Sequence, residues 1–145
     1  AFTKFYVLKK GNKTDFKEKM YRFLPYVNIE KDLPEFWASH KDNIKDWYYK
    51  TQREDDVIIS ASPEFLLEPI CKELGIKYLM ASKVDMKTGK YEGINCHGKE
   101  KVRRFYEMFP NGKIEDFYSD SYSDSPLAEI SKKAFLVKGN ELKDW

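Results

Sequence analysis

Ile114-Glu115-Asp116-Phe117-Tyr118-Ser119-Asp120-Ser121-Tyr122-Ser123-Asp124 is an apolar-aromatic run followed at once by a Ser-rich acidic turn. The run reads as a strand and the chain beyond it as a helix, so Asp120 and Asp124 lie four apart in the connection between the two. Open α/β sheets place their ligands at the carboxyl ends of strands. Hard cations such as Mg²⁺ take oxygen ligands, often one or two carboxylates completed by water and phosphate. Asp and Ser are equally suited to capping the helix that follows. By itself this turn leaves both readings open, a solvated cap and a cation site.

Upstream, Asp55-Asp56-Val57-Ile58-Ile59-Ser60-Ala61-Ser62-Pro63-Glu64 has an acidic lead-in, a continuous β-branched run and a small polar loop. Val57–Ile59 has the composition of a strand buried on both faces, and Ser60 falls where it should end. The following residues, Phe65 to Leu74, read as an amphipathic helix stopped by Gly75. Ser60 or Ser62 then stands near exposed helix N–H groups, which favour an anion; helix capping uses the same donors. A third stretch, Cys96-His97-Gly98-Lys99-Glu100-Lys101-Val102-Arg103-Arg104-Phe105, turns at glycine into a helix with lysines in its first turn. A cation there opposes the helix dipole by about a few tenths of a kcal/mol. Such a lysine either belongs to a solvated Lys/Glu face or serves an anion.

Around these stretches the chain divides near residue 50. Residues 57–137 alternate strand and helix, which predicts a parallel sheet with crossover helices. Asp85–Lys90 has the composition of a hairpin turn, and Ala134–Val137 is the last expected strand. Residues 1–50 read as helices. One spans Thr14–Leu24, with Phe16, Met20, Phe23 and Leu24 on one face and Pro25 as its stop. A second begins at Leu33, with Phe36, Trp37, Ile44, Trp47 and Tyr48 as its apolar stripe, a pattern typical of a packed amphipathic helix. His40 and His97 have the standing of surface histidines, with a place near a substrate as the alternative.

The 145 residues suit about one domain. Lys and Arg number 26 against 24 Asp and Glu, a net charge of +2. Basic and acidic residues are interleaved, which argues against a dedicated nucleic-acid or anionic-membrane surface. No apolar run approaches a membrane span and no signal peptide is visible. The two cysteines, Cys71 and Cys96, suit a reducing, cytoplasmic setting; Cys71 falls on a core-facing helix position, and Cys96-His97 is too sparse for a zinc site.

The order strand–Ser, Gly–Lys–helix, strand–Asp-xxx-Asp resembles motifs II, III and IV of the haloacid dehalogenase superfamily, most closely its phosphoserine-phosphatase-like branch. The likeness is carried by Ile58-Ile59-Ser60-Ala61-Ser62-Pro63, Gly98-Lys99-Glu100-Lys101-Val102 and Tyr118–Asp124, with Ile76–Val84 and Gly89–Gly93 between them. It is good from about Trp37 to Val137 and weaker before. The resemblance implies an α/β fold, a Rossmannoid three-layer parallel sheet, with residues 1–50 as a helical cap and 51–145 as the C-terminal part of the core. It implies a Mg²⁺-dependent phosphatase acting on a small phosphomonoester, such as a phosphoserine-like compound or a phospholipid head group, with no nucleic-acid partner. Ser60 and Lys101 match the catalytic hydroxyl and lysine, with Lys99 as the fallback. Ser60, Ala61 and Lys101 match the phosphate-binding set. Asp120 matches the metal-ligating carboxylate, and Asp124 the acid that supports the metal indirectly. Ser119 and Ser123 replace a common Gly and a common Asn or Ala.

Motif I of that family, an Asp-x-Asp at the end of the central strand, has no match in these residues. It would supply the attacking aspartate and the general acid/base. The resemblance therefore implies that the strand between the motif II and motif IV strands is contributed by a segment preceding Ala1. Without it the chain is expected to be inactive and to leave two inner strand edges unpaired. The alternative is a non-catalytic anion-binding or interaction protein that keeps the pocket.

Overall fold

The computed structural model describes residues 17, 18 and 21–145 of the chain. Most of the helix expected over Thr14–Leu24 lies outside these residues; within them, Tyr21–Tyr26 is a 3-10 turn that includes Pro25. Two helices precede the first strand, α1 (Ile29–His40) and α2 (Asp46–Thr51). α1 starts four residues before Leu33 because Asn28 caps it, its side chain accepting from Lys31 N–H. A 3-10 turn over Lys41–Asn43 then breaks the expected stripe into two pieces. Trp37 on α1 donates its indole N–H to Leu66 O at 2.7 Å. Trp47 on α2 stacks on Tyr118 at 4.9 Å between ring centroids.

From Val57 onward strand and helix alternate as the periodicity predicts. β1 (Val57–Pro63) leads through α3 (Glu64–Glu73) to β2 (Tyr78–Ser82), parallel to it. Gly75, at φ +73°, follows the end of α3 where a left-handed residue is needed. β2 leads through a long excursion to α4 (Lys99–Met108), then to β3 (Ile114–Ser119), α5 (Ser125–Glu129) and β4 (Ser131–Lys138). β4 runs parallel to β3, and a final antiparallel strand, β5 (Glu141–Asp144), folds back on it. That last strand carries no burial pattern, its four residues all being exposed. The turn expected at Asp85–Lys90 is present: Asp85 Oδ1 accepts from the N–H groups of Lys87 and Thr88, and Val84 bridges Tyr91 in antiparallel fashion.

The core lies under the parallel strands, with Ile70 and Cys71 of α3, Met80 and Ala81 of β2, Phe105 of α4, Leu127 of α5 and Leu136 of β4 all buried. Cys71 takes the core-facing position expected of it. The sheet, however, is in two pieces, β1-β2 and β3-β4-β5. Among the described residues, β1 and β3 each pair on one edge only. Val57–Ile59 is consequently half-buried, although its composition is that of a strand enclosed on both faces.

Candidate active site

α4 is tied to the carboxyl ends of β2 and β3, Arg104 donating to Ala81 O and Lys101 reaching Asp124. Gly98 turns the chain into this helix at φ +57°, a conformation that side chains with a Cβ rarely adopt. Lys101, one turn in, is 6% exposed, and its ammonium sits 2.7 Å from Asp124 Oδ1, beyond the end of β3. Lys99 is exposed. Of the two lysines, it is Lys101 that faces the end of β3. The second Asp124 oxygen accepts from the Ser119 hydroxyl at 2.8 Å. Ser119 also accepts from Ser121 N–H at 3.2 Å, which shapes the turn around Asp120. Ser119 stands where a small Gly is common, and nothing in its local pattern signals that it grips a carboxylate five residues on.

Asp120 is exposed at the rim of this arrangement. Asp124 has both oxygens engaged, by Lys101 and Ser119. This donor set fits Mg²⁺, which binds through one or two carboxylates and keeps several waters. No cluster of three or more Cys, His, Asp or Glu side chains suited to a metal occurs among the described residues.

On the β1 side, the regular pairing with β2 ends after Ile59 and shifts register before Pro63. Ser60 therefore lies within the strand span but in an irregular segment, a device that re-aims side chains. Its hydroxyl accepts from Ser62 N–H at 3.1 Å, which curls the loop. Neither serine caps α3; the cap position is Pro63 and makes no side-chain bond. Ala61 O is held by Lys17 Nζ at 2.8 Å.

Between β1 and β3 lies a cavity of about 320 Å³. Val57, Ile58 and Ile59 line one side, and Ile114 to Tyr118 the other. Asp124 reaches it at the carboxyl end, and Arg53, Asp55, Asp56 and Lys113 at the amino end. Trp47 and Tyr48 contribute aromatic surface. The Trp47 indole nitrogen is buried without a hydrogen-bond partner among the described residues, although such donors are nearly always paired. Burial, and then the charge of Asp56, pushes the Tyr48 phenol up to about 12, so it stays a neutral donor.

A brace on the outer face of α4 helps hold this geometry. Glu100 bonds Arg103 at 2.7 and 2.8 Å and Arg104 at 3.1 Å. The bonds from Arg103, chiefly, hold its carboxyl below the ordinary value of 4.5. A carboxyl depressed in the folded state stabilises the fold above its unfolded value and loses that contribution as the pH falls through the folded one. Glu100→Gln is expected to cost about 1 kcal/mol at pH 7. In melts at a series of pH values, the gap from the wild type should close on acidification below 4.5; a gap that is constant with pH would mean the carboxylate charge contributes nothing.

Comparison with known proteins decides the family. A family model described as haloacid dehalogenase-like hydrolase matches residues 2–129. The chain belongs to the haloacid dehalogenase-like hydrolases. Among similar members, a Mycobacterium tuberculosis protein named "Probable phosphatase" is 32% identical over 96 residues, 61% of this chain and 33% of that protein. The protein CicA of Caulobacter vibrioides is 31% identical over 81 residues, 52% of this chain and 36% of CicA. The matched stretch thus spans about a third of these relatives. A crystal structure of a protein of unknown function from Bordetella pertussis Tohama I superposes with a TM-score of 0.64 at 20% identity, over 91% of this chain and 69% of that one. The haloacid dehalogenase-like α/β fold expected from the motifs is therefore the fold of this chain. None of its described helices is long and apolar enough to cross a membrane.

Proposed function

We propose that this chain is part of a cytoplasmic, Mg²⁺-dependent phosphatase for a small phosphomonoester. Residues 1–50 act as a helical cap and 51–145 as the C-terminal part of the core. The observation that carries this reading is the buried Lys101–Asp124 pair beyond the end of β3, at a cavity lined by β1, β3 and Asp124; Ser60 follows the last β1 residue of that lining, and Asp120 lies in the turn before Asp124. An extended apolar segment ending in Asp-x-Asp fits that gap, and its unpaired backbone would complete the edges of β1 and β3. Its first aspartate would bond to phosphorus as the ester oxygen departs, taking a proton from the second; water then cleaves the aspartyl-phosphate.

The chain's own residues supply the surroundings of that step. The Ser60 hydroxyl and the backbone of the Ser60–Ala61 loop donate to phosphoryl oxygens. Lys101 steadies the charge on the phosphate and on the attacking carboxylate, and Asp124 with Ser119 keeps its ammonium aimed. Asp120 is the carboxylate offered to Mg²⁺, with Asp124 supporting through water. When bound, the ion neutralises charge on the phosphoryl oxygens. Free, buried Cys71 and Cys96 suit the reducing cytoplasm.

The test is hydrolysis of p-nitrophenyl phosphate, with and without Mg²⁺, by the chain joined to such an Asp-x-Asp strand. Asp120→Asn should lower the Mg²⁺-dependent rate by about 10²-fold or more, the scale of removing a preorganised charge from a transition state. An unchanged rate would remove Asp120 from the site and the metal assignment with it.

A further inference from the structure

The excursion between β2 and α4, residues 83–98, is tied back to the sheet by buried polar groups that the mechanism above does not use. Ser82, the last residue of β2, is 0% exposed. Its hydroxyl accepts from Cys96 N–H at 2.9 Å and has one proton to share between two acceptors, Asn95 Oδ1 at 2.9 Å and Ala61 O at 3.2 Å. One atom thus touches the loop after Ser60 and the turn that leads through Gly98 to Lys101.

That bridge matters because the strand ladder does not hold the loop. Pairing of β1 with β2 breaks register between Ile59 and Pro63, the interval containing Ser60 and Ala61. Arg104 makes a parallel tie one turn along α4, donating to Ala81 O and Ile94 O. Arg104 links helix to sheet, but it does not reach the Ser60 loop. Ser82 joins the two segments that carry the phosphate-facing groups.

We infer that Ser82 is a positioning residue of the phosphate site: its hydroxyl sets the separation between the Ser60–Ala61 loop and Lys101. The inference rests on the phosphatase reading of that site. Small misplacements of such groups are costly, about 10²-fold for 1 Å.

The experiment is calorimetric titration of the full chain with inorganic phosphate, alongside thermal melts. Ser82→Ala should weaken phosphate binding at least about tenfold in protein that remains folded. Ser82→Thr, which keeps the hydroxyl, should recover the wild-type affinity. Ser82→Ala that melts earlier but binds phosphate as the wild type does would overturn the inference, since the hydroxyl would then serve stability alone. Should Ser82→Ala fail to fold, Ser82→Cys, which fills the space with a weak donor, is judged by the same two outcomes. Lys101→Ala separates this inference from the reading beneath it. If that variant loses phosphate while Ser82→Ala keeps it, only the positioning role falls. If the wild type binds no phosphate, or Lys101→Ala binds it equally well, the phosphate site itself falls and the inference with it.

Discussion

Lys101→Ala is expected to destabilise the chain by about 3–5 kcal/mol, the cost of removing one partner from a buried ion pair. The side chains of Lys101 and Asp124 are only 8% and 13% exposed, and their charged atoms are 2.7 Å apart. Alanine leaves a carboxylate in a confined site with Ser119 as its remaining donor. Urea denaturation at pH 7 measures the loss. Asp124→Asn combined with Lys101→Met should recover much of it, because no uncompensated charge then stays buried. A loss below about 1 kcal/mol for the single variant would place the pair with exposed surface bridges, which contribute little. The exposed ion pair Lys77–Glu54 gives a contrast: it joins side chains 56% and 87% exposed and predicts no such penalty.

The second large effect concerns the gap between β1 and β3. The chain alone should turn over p-nitrophenyl phosphate no faster than buffer. Joining an apolar strand ending in Asp-x-Asp ahead of Ala1, through a flexible linker, should raise Mg²⁺-dependent turnover by about 10³-fold or more, the scale of restoring a catalytic nucleophile. The same addition should raise the melting temperature, because it pairs two strand edges and encloses Val57–Ile59. Each buried backbone group satisfied is worth about 1–3 kcal/mol relative to leaving it unpaired. A strand with both aspartates replaced by asparagine separates the two effects: it should restore stability without turnover. Full activity in the chain alone, insensitive to the added strand, would defeat the proposal that the nucleophile lies there.

Local chemistry was readable where a residue's neighbours in sequence are also its neighbours in space. The β-branched run Val57–Ile59, the glycine turn at Gly98 and the apolar run before Ser119 each specify their own geometry, and each stands where periodicity places it. β5 was not readable, because Glu141–Asp144 is exposed and its extended form is imposed by pairing with β4. The start of α1 at Ile29 turns on the Asn28 cap, a single side-chain bond that the apolar pattern does not display. Ser119 and Ser82 were invisible for a related reason: a buried serine has no periodic signature, and its partners are set by tertiary contact.

The sequence by itself determined the order of the chemistry: a strand ending at serine, a glycine turn into a lysine-bearing helix, and a strand ending in two spaced aspartates. Those are matters of residue type and local periodicity. Only the tertiary structure decided which lysine is buried, since Lys99 and Lys101 differ by about 200° around a helix of 3.6 residues per turn. It alone brought Lys101 onto Asp124 and, among the described residues, left β1 and β3 on opposite sides of a cavity. Pairing between strands depends on which backbone edges meet, and no stretch of the chain records its own partner.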